Sequence, residues 1–478
     1  MIRGGFGTLL RSPRLPNTAV PYPRNVYIRK FTDINSVKPT PIIIHENEIL
    51  FFDETGKTYF YKGSNTDFVL PTMSINQSVR RREIEERIFN DLKTNSNGIG
   101  GCFNITYQCH LDCIFCYLND QNKRTSGYGN TRQLKEFVKF QKTKLNNKGH
   151  QDLKILGGEP LISSYKHELS FFLRIWSDII SSSLTEFEKV HIFTNGMEIH
   201  KFVDLLSNHP CKITISLGTE STRDRILKNG TPAFPHVIKN VSKAISEGLL
   251  ASFNVVIIDP DKQIAELVDI VVKYPFLQNS NFSLTEVFSN QLESVTKFKN
   301  LIKYLAVQTE QIVTLSNFVF SLNVLSRGIR IVLRERKCWI QLGGKMRECD
   351  YPCQTYDYKG NIYACNRDIF KTDKKVGNYF PNYEIRSRIE VQQKIARFCG
   401  YWVHRFSECD VCNERDVCHY CMGYVHFPLN YSLCQIRPLL KEIKMFLGLF
   451  LQNLETLGFY LRVEEELAKD LFRVSDPR

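Results

Sequence analysis

Apolar positions fall into two patterns along the chain. Between residues 40 and 62, short β-branched and aromatic runs at Ile42–Ile44, Glu48–Phe52 and Thr58–Tyr61 predict three strands, with "DETG" at Asp53–Gly56 as a hairpin turn. In "SVRRREIEERIFNDLKT", Ile84, Ile88, Phe89 and Leu92 recur at helical spacing while charge covers the opposite face, so a helix follows the strands. From Gly101 the pattern changes. Apolar strand-length runs at Cys102–Thr106, Leu153–Leu156, Val190–Thr194, Lys212–Leu217, Phe253–Ile258 and Phe282–Val287 alternate with helical stretches. That alternation predicts an α/β fold with a parallel sheet and right-handed crossovers; six units make a partial (β/α)6 barrel. Chemistry on such a barrel is expected at the carboxyl ends of the strands. The apolar stretch Ile443–Leu461 is broken by Lys444, Gln452, Asn453 and Glu455, which predicts a packed helix and no membrane span.

These patterns divide the chain into a flexible segment at 1–25, rich in proline and glycine, a small α+β module at 26–97, the barrel at 98–311, a cysteine-rich region at 312–440 and a helical segment at 441–478. The N-terminus is basic and lacks the apolar core of a secretory signal, so a cytoplasmic location is expected. In that compartment thiols stay reduced, and 15 cysteines then point to metal or cluster ligation. The formal net charge of +13 favours an acidic partner such as a peptide. Nucleic acid is not expected, because no dense basic stripe is interleaved with aromatics.

The first barrel strand leads into "NITYQCHLDCIFCYLND", with Cys109, Cys113 and Cys116 spaced x3 and x2. Three thiolates leave one iron of a four-iron cluster open to an outside ligand. A zinc knuckle is the alternative, but no fourth Cys or His stands at a usual zinc spacing; His110 lies between two of the cysteines. The second strand ends in "KILGGEPLI", where Gly157 and Gly158 allow close backbone approach and Glu159 offers an acceptor for an ammonium.

Strand, three-cysteine loop and the following aromatic Tyr117 resemble the radical S-adenosylmethionine superfamily. The resemblance implies a 4Fe-4S cluster on Cys109, Cys113 and Cys116, with S-adenosylmethionine (AdoMet) on the open iron. It also implies that Gly157, Gly158, Glu159 and Pro160 form the turn that binds the methionine ammonium, and that Asn195 in "FTNGM" belongs to a cofactor turn, for which a plain β-turn accounts equally well. Ser216 corresponds to the serine at the cofactor ribose. Arg225, or Lys228 a little later, corresponds to the cation near the carboxylate. Many relatives read Ser-Leu-Asp-Gly where this chain has "SLGT". The implied reaction uses an electron from the reduced cluster, supplied by a reductase such as flavodoxin or ferredoxin. The sulfonium bond breaks to give methionine and a 5′-deoxyadenosyl radical that abstracts a hydrogen atom.

Downstream, Cys349-x10-Gly360-x4-Cys365 and Cys409-x2-Cys412-x5-Cys418-x2-Cys421, followed by Cys434, resemble a SPASM domain. That implies two auxiliary 4Fe-4S clusters, making three in all: Cys409, Cys412, Cys418 and Cys434 on the outer one, and Cys349, Cys365 and Cys421 on the inner one. Cys353 and Cys338 compete for the remaining inner place, and Cys399 has no assigned role. A zinc ribbon would leave several of these cysteines surplus. Enzymes with this tail mostly modify peptides or proteins. The module at 26–97 resembles the small winged-helix-like elements that capture leader peptides by strand addition. The expectation is therefore a peptide maturase acting on a ribosomally made, leader-guided precursor, with a cross-link as product. Oxidation of a protein residue, as in sulfatase maturation, is the rival; that family uses an aspartate directly after the inner cluster cysteine, where this chain has Asn366. A non-enzymatic iron-sulfur or zinc scaffold is the third reading, and it has no need of the glycine turn.

Overall fold

The computed structural model describes residues 40–45, 48–52, 58–62, 100–116, 118, 127–146, 152–181, 190–220, 224–286, 291–325, 329–342, 355–363, 369, 375–386 and 437–462. Residues 1–25, the helix expected after the N-terminal strands, Tyr117, and Cys349, Cys353, Cys365, Cys399, Cys409, Cys412, Cys418, Cys421 and Cys434 lie outside them.

Strands β1 (Thr40–His45), β2 (Glu48–Phe52) and β3 (Thr58–Lys62) form an antiparallel three-stranded sheet, as the apolar runs predict. The barrel follows. Strands β4 (Gly101–Thr106), β5 (Leu153–Gly157), β6 (Val190–Thr194), β7 (Cys211–Leu217), β8 (Ser252–Ile257) and β9 (Asn281–Glu286) lie side by side in chain order, each parallel to the next. Each lies within one residue of its expected bounds. Between them run helices α1 (Thr131–Lys142), α2 (Lys166–Ser181), α3 (Val203–Ser207), α4 (Phe234–Ser246) and α5 (Pro260–Lys273).

Strict alternation marks three of these strands, whereas β4 is buried along its whole length. In β6, β8 and β9 every second residue is buried, so one face carries Ile192, Phe253, Val255, Phe282 and Leu284. That face meets the helices: Ile215 of β7 lies with Val237 and Val241 of α4 around Gly196. Under β4, Phe103 stacks on Phe137 of α1 with ring centroids 3.9 Å apart, and Phe172 and Trp176 of α2 complete the aromatic layer. Helix α1 starts at a capping box, with the Asn130 side chain accepting from Gln133 N and the Gln133 side chain accepting from Asn130 N, both at 3.0 Å.

The same sheet continues past residue 311 at both edges. After α6 (Gln291–Val307) and α7 (Thr309–Phe318), β10 (Ser321–Leu325) adds parallel to β9, and β11 (Ile329–Arg334) and β12 (Lys337–Leu342) add antiparallel. At the other edge β13 (Thr355–Asp357) pairs parallel with β4, followed antiparallel by β14 (Asn361–Tyr363), β15 (Lys375–Asn378) and β16 (Glu384–Ile385). Helix α8 (Arg437–Thr456) packs on α6, with Lys299 3.1 Å from Glu442 and Asn453 Nδ2 donating to Ala306 O at 2.7 Å. Strand β17 (Tyr460–Arg462) then closes on β12. Among the described residues no helix is long and apolar enough to cross a membrane.

Just past α1, Lys144 is fully buried, its ammonium donating to Tyr356 Oη at 2.7 Å and lying 4.7 Å from the Phe140 ring centroid. Burial pulls its pKa down from 10.5 to about 7. The unfolded chain keeps this proton up to the ordinary lysine value and the folded chain loses it near 7, so stability rises with pH between those limits. Urea midpoints at pH 7 and pH 9 should show a gain of about 1–3 kcal/mol, and Lys144→Met should abolish that gain.

Candidate active site

The cysteine loop leaves the carboxyl end of β4 and is held on three sides. Against the segment after β7, Leu111 bridges Leu227, Asp112 N donates to Ile226 O at 2.8 Å and Ile114 N donates to Asp224 O at 3.2 Å. Arg225, only 8% exposed, brings Nη1 to 3.9 Å from Cys113 Sγ and its guanidinium to 4.9 Å from the Phe115 ring centroid. Lys228 is exposed on the following turn, so Arg225 is the cation brought to the loop. Gly218 of "SLGT" makes room for this, since a Cβ there would sit 2.9 Å from Arg225 Cδ. From β6, Asn195 Nδ2 reaches 3.6 Å from Cys109 Sγ, and Leu111 N donates to the same sulfur at 3.4 Å.

The third side is the glycine turn. Gly158 N donates to Thr106 O at 3.0 Å and Glu159 N to Gln108 O at 2.8 Å, so the end of β5 lies directly on the end of β4. A Cβ on Gly157 would be 2.1 Å from Thr106 O, and one on Gly158 2.2 Å from Gln108 O. Only glycine tolerates that approach. The Glu159 carboxylate accepts from Leu161 N at 2.8 Å, Thr194 Oγ1 at 2.6 Å and Asn195 N at 2.6 Å, and it is 1% exposed. The side chain thus ties β5 to β6. Burial pushes its pKa up to about 7, against the pull of those donors. Pro160 is buried, with Tyr128 Oη donating to its carbonyl at 3.1 Å. Ser216 is half-buried on β7, one residue before that strand ends.

Burial pushes the Cys109 thiol up to about 12 and the Cys113 thiol up to about 11, and raises that of Cys116; Arg225 works in the opposite direction at Cys113. Ligation therefore needs a group that is strongly positive before its thiolates are counted. Among the described residues no three His, Cys, Asp or Glu side chains converge on a single ion. The thiols nevertheless sense each other electrostatically, Cys109 with Cys113 and with Cys116, and Cys113 with Cys116. His110 is engaged elsewhere, with Nε2 3.3 Å from Glu198.

Three features escaped the sequence reading. Phe115, the aromatic inside the cysteine loop, offers a half-buried face beside Arg225; its place between Cys113 and Cys116 was the available signal. Glu198 gathers His110, Lys201 and Ser163 at the rim. Tyr107, buried at the root of the loop, donates to Asp357 Oδ2 of β13 at 2.8 Å. Asp357 also accepts from Lys359 N and Asn361 N at 3.0 Å and from Asn361 Nδ2 at 2.8 Å. Tyr107→Phe deletes one hydrogen bond to a buried carboxylate and should cost about 1.5–3 kcal/mol in a urea titration.

Residues 103–271 match the Radical SAM superfamily. The cysteine loop, the glycine turn, Asn195, Ser216 and Arg225 all fall inside that span, and this part of the chain is a radical SAM enzyme domain. No curated protein matches the sequence. Among solved structures the chain is similar to native anSMEcpe with bound AdoMet, at TM-score 0.53 and 14% identity over 74% of this chain and 98% of that one. Native anSMEcpe with bound AdoMet and Cp18Cys peptide is similar at TM-score 0.53 and 14% identity, over 75% and 98%. Streptococcus suis SuiB bound to precursor peptide SuiA gives TM-score 0.46 and 16% identity, over 69% and 73%.

Proposed function

We propose that the chain is a peptide maturase that cleaves AdoMet reductively and takes a hydrogen atom from a ribosomally made precursor. The observation that carries this is the cysteine loop itself, held at the mouth of the barrel by Arg225, Asn195 and the glycine turn. Cys109, Cys113 and Cys116 would hold the cluster, which when bound supplies the electron for sulfonium cleavage. The backbone of Gly157 and Gly158, with Asn195, Ser216, Pro160 and Tyr117, would line AdoMet. Arg225 stabilises the Cys113 thiolate, and the Phe115 face is suited to stacking on a purine.

Two auxiliary clusters on Cys349, Cys353, Cys365, Cys409, Cys412, Cys418, Cys421 and Cys434 complete the reading. It is supported by Gly360, the glycine of the Cys349-x10-Gly360-x4-Cys365 pattern, which sits at φ 95° in the turn between β13 and β14. Cys338 has no exposure and belongs to the hydrophobic core, which favours Cys353 as the remaining inner ligand. A peptide substrate is supported by the chain's positive balance and by the peptide-bound anSMEcpe fold neighbour. The three-stranded sheet β1–β3 is the candidate leader-binding edge. The expected product is a cross-link, and the expected electron donor is a flavodoxin or ferredoxin.

Metal analysis of anaerobically reconstituted protein tests the cluster assignment. About twelve irons per chain are expected, as three four-iron clusters. About four irons, with zinc making up the rest, would remove the auxiliary clusters.

A further inference from the structure

Along the cysteine loop from Cys109 to Cys116 one side chain is open to solvent. Ile114 is 62% exposed, while the rest of the loop is buried or half-buried. Its backbone N donates to Asp224 O, so the exposed side chain stands on an anchored segment. Single exposed apolar residues are ordinary on a protein surface; what marks this one is its place, one residue from Cys113 and two from Cys116. Cations gather at the edge of the same loop. The antiparallel bridge between Leu111 and Leu227 brings His110 alongside Lys228, which is exposed. Lys201 pairs with Glu198, the carboxylate that also holds His110, and Lys166 Nζ donates to Lys201 O. Burial lowers the His110 pKa against the pull of Glu198, and Lys201 and Lys228 push the same way as burial, which places both ammoniums within electrostatic reach of the loop. Glu198 offsets one of the lysine charges, and the edge stays positive, as the whole chain does at +13.

A cluster on Cys109, Cys113 and Cys116 takes its electron from outside the chain, and electron tunnelling weakens steeply with distance, so the donor must come close to these thiols. Arg225, Asn195 and the glycine turn occupy the other sides of the loop; Ile114 marks the side that water reaches. Weak redox encounters use small interfaces with an apolar contact inside a charged rim, and opposite charge on the two partners speeds their meeting. We propose that this outer face of the cysteine loop docks a small acidic one-electron donor protein, with Ile114 as the apolar contact and Lys201 and Lys228 as the charged edge. One electron leaves the reduced donor and enters the oxidised cluster, and no proton or group moves with it. This surface rests on the radical SAM reading of the chain and adds to it the face on which the donor is received.

The probes are an acidic flavodoxin and an acidic ferredoxin, and the one that binds the reconstituted wild type more tightly carries the test. Lys201→Glu/Lys228→Glu and Ile114→Asp should each raise its Kd, read by biolayer interferometry, about tenfold and slow donor-driven 5′-deoxyadenosine formation to match. With dithionite, which needs no docking face, both variants should cleave AdoMet at the wild-type rate. Raising NaCl from about 50 to about 300 mM should weaken donor binding to the wild type and have little effect on the lysine variant. Lys243→Glu/Lys273→Glu, at the last turns of α4 and α5, is the control and should change the Kd less than about twofold. Should one variant not fold, the other decides alone. Wild-type affinity in the variants, an equal loss in the control pair, a loss shared by dithionite, or no binding of either donor to the wild type would overturn the surface. So would a wild-type dimer that Ile114→Asp dissociates, since a second copy would then cover the face. Absence of 5′-deoxyadenosine with every reductant would sink the radical reading instead.

Discussion

Replacing Cys109, Cys113 and Cys116 together by alanine should lower the iron content by about four per chain and reduce 5′-deoxyadenosine formation to the level without protein. The size of the effect follows from the geometry. The three thiols share one short loop, and the groups around them, Arg225 at Cys113 and Asn195 at Cys109, are neutral or cationic donors that cannot replace a thiolate ligand. Alanine at Cys113, 8% exposed in the wild type, also leaves the Arg225 guanidinium facing an apolar methyl. Iron associated with the downstream cysteines should stay, because those residues are untouched. Retained cleavage in the triple variant would remove the loop from the chemistry.

Gly158→Ala should be nearly as damaging, for a different reason. The added Cβ would lie 2.2 Å from Gln108 O and 2.6 Å from both Gln108 C and Tyr107 O, all backbone atoms that no rotamer change can move. To relieve the clash the glycine turn must lift off β4, losing the Gly158–Thr106 and Glu159–Gln108 hydrogen bonds. A cost of about 3 kcal/mol or more is expected in urea, together with at least a tenfold loss of AdoMet affinity. Gly230→Ala is the control, since Gly230 has φ 84° and nothing within 4 Å of the added atom. It should cost only about 1 kcal/mol, all of it backbone strain, and leave AdoMet binding unchanged. Similar losses in both variants would mean that close approach at the glycine turn is not what matters.

The barrel was legible because strand-length apolar runs alternate with helical stretches, and in β6, β8 and β9 buried and half-buried positions also alternate; Val190–Thr194 reads directly as a strand with one face in the core. The cysteine loop was legible for an equally local reason, its three cysteines falling within eight positions. What stayed hidden depends on partners far apart in sequence. Nothing near Asp357 announces that it will take the hydroxyl of Tyr107, 250 residues earlier, or that β13 will extend the sheet at the β4 edge. The motif around Glu159 shows a carboxylate but not the Thr194 and Asn195 donors that tie it to β6. Lys228 remains an alternative to Arg225 in the sequence because spacing alone cannot tell which side of a turn faces the loop. That Phe115 lies under the Arg225 guanidinium depends on a partner 110 residues later in the chain.

The central claim is that this loop and turn cleave AdoMet. It is tested most directly by incubating the anaerobically reconstituted wild-type chain with AdoMet and dithionite and quantifying products by mass spectrometry. Equimolar 5′-deoxyadenosine and methionine, formed above a protein-free control and dependent on both iron and reductant, is the predicted result. A protein that holds at least four irons and binds AdoMet, yet forms no 5′-deoxyadenosine, would contradict it.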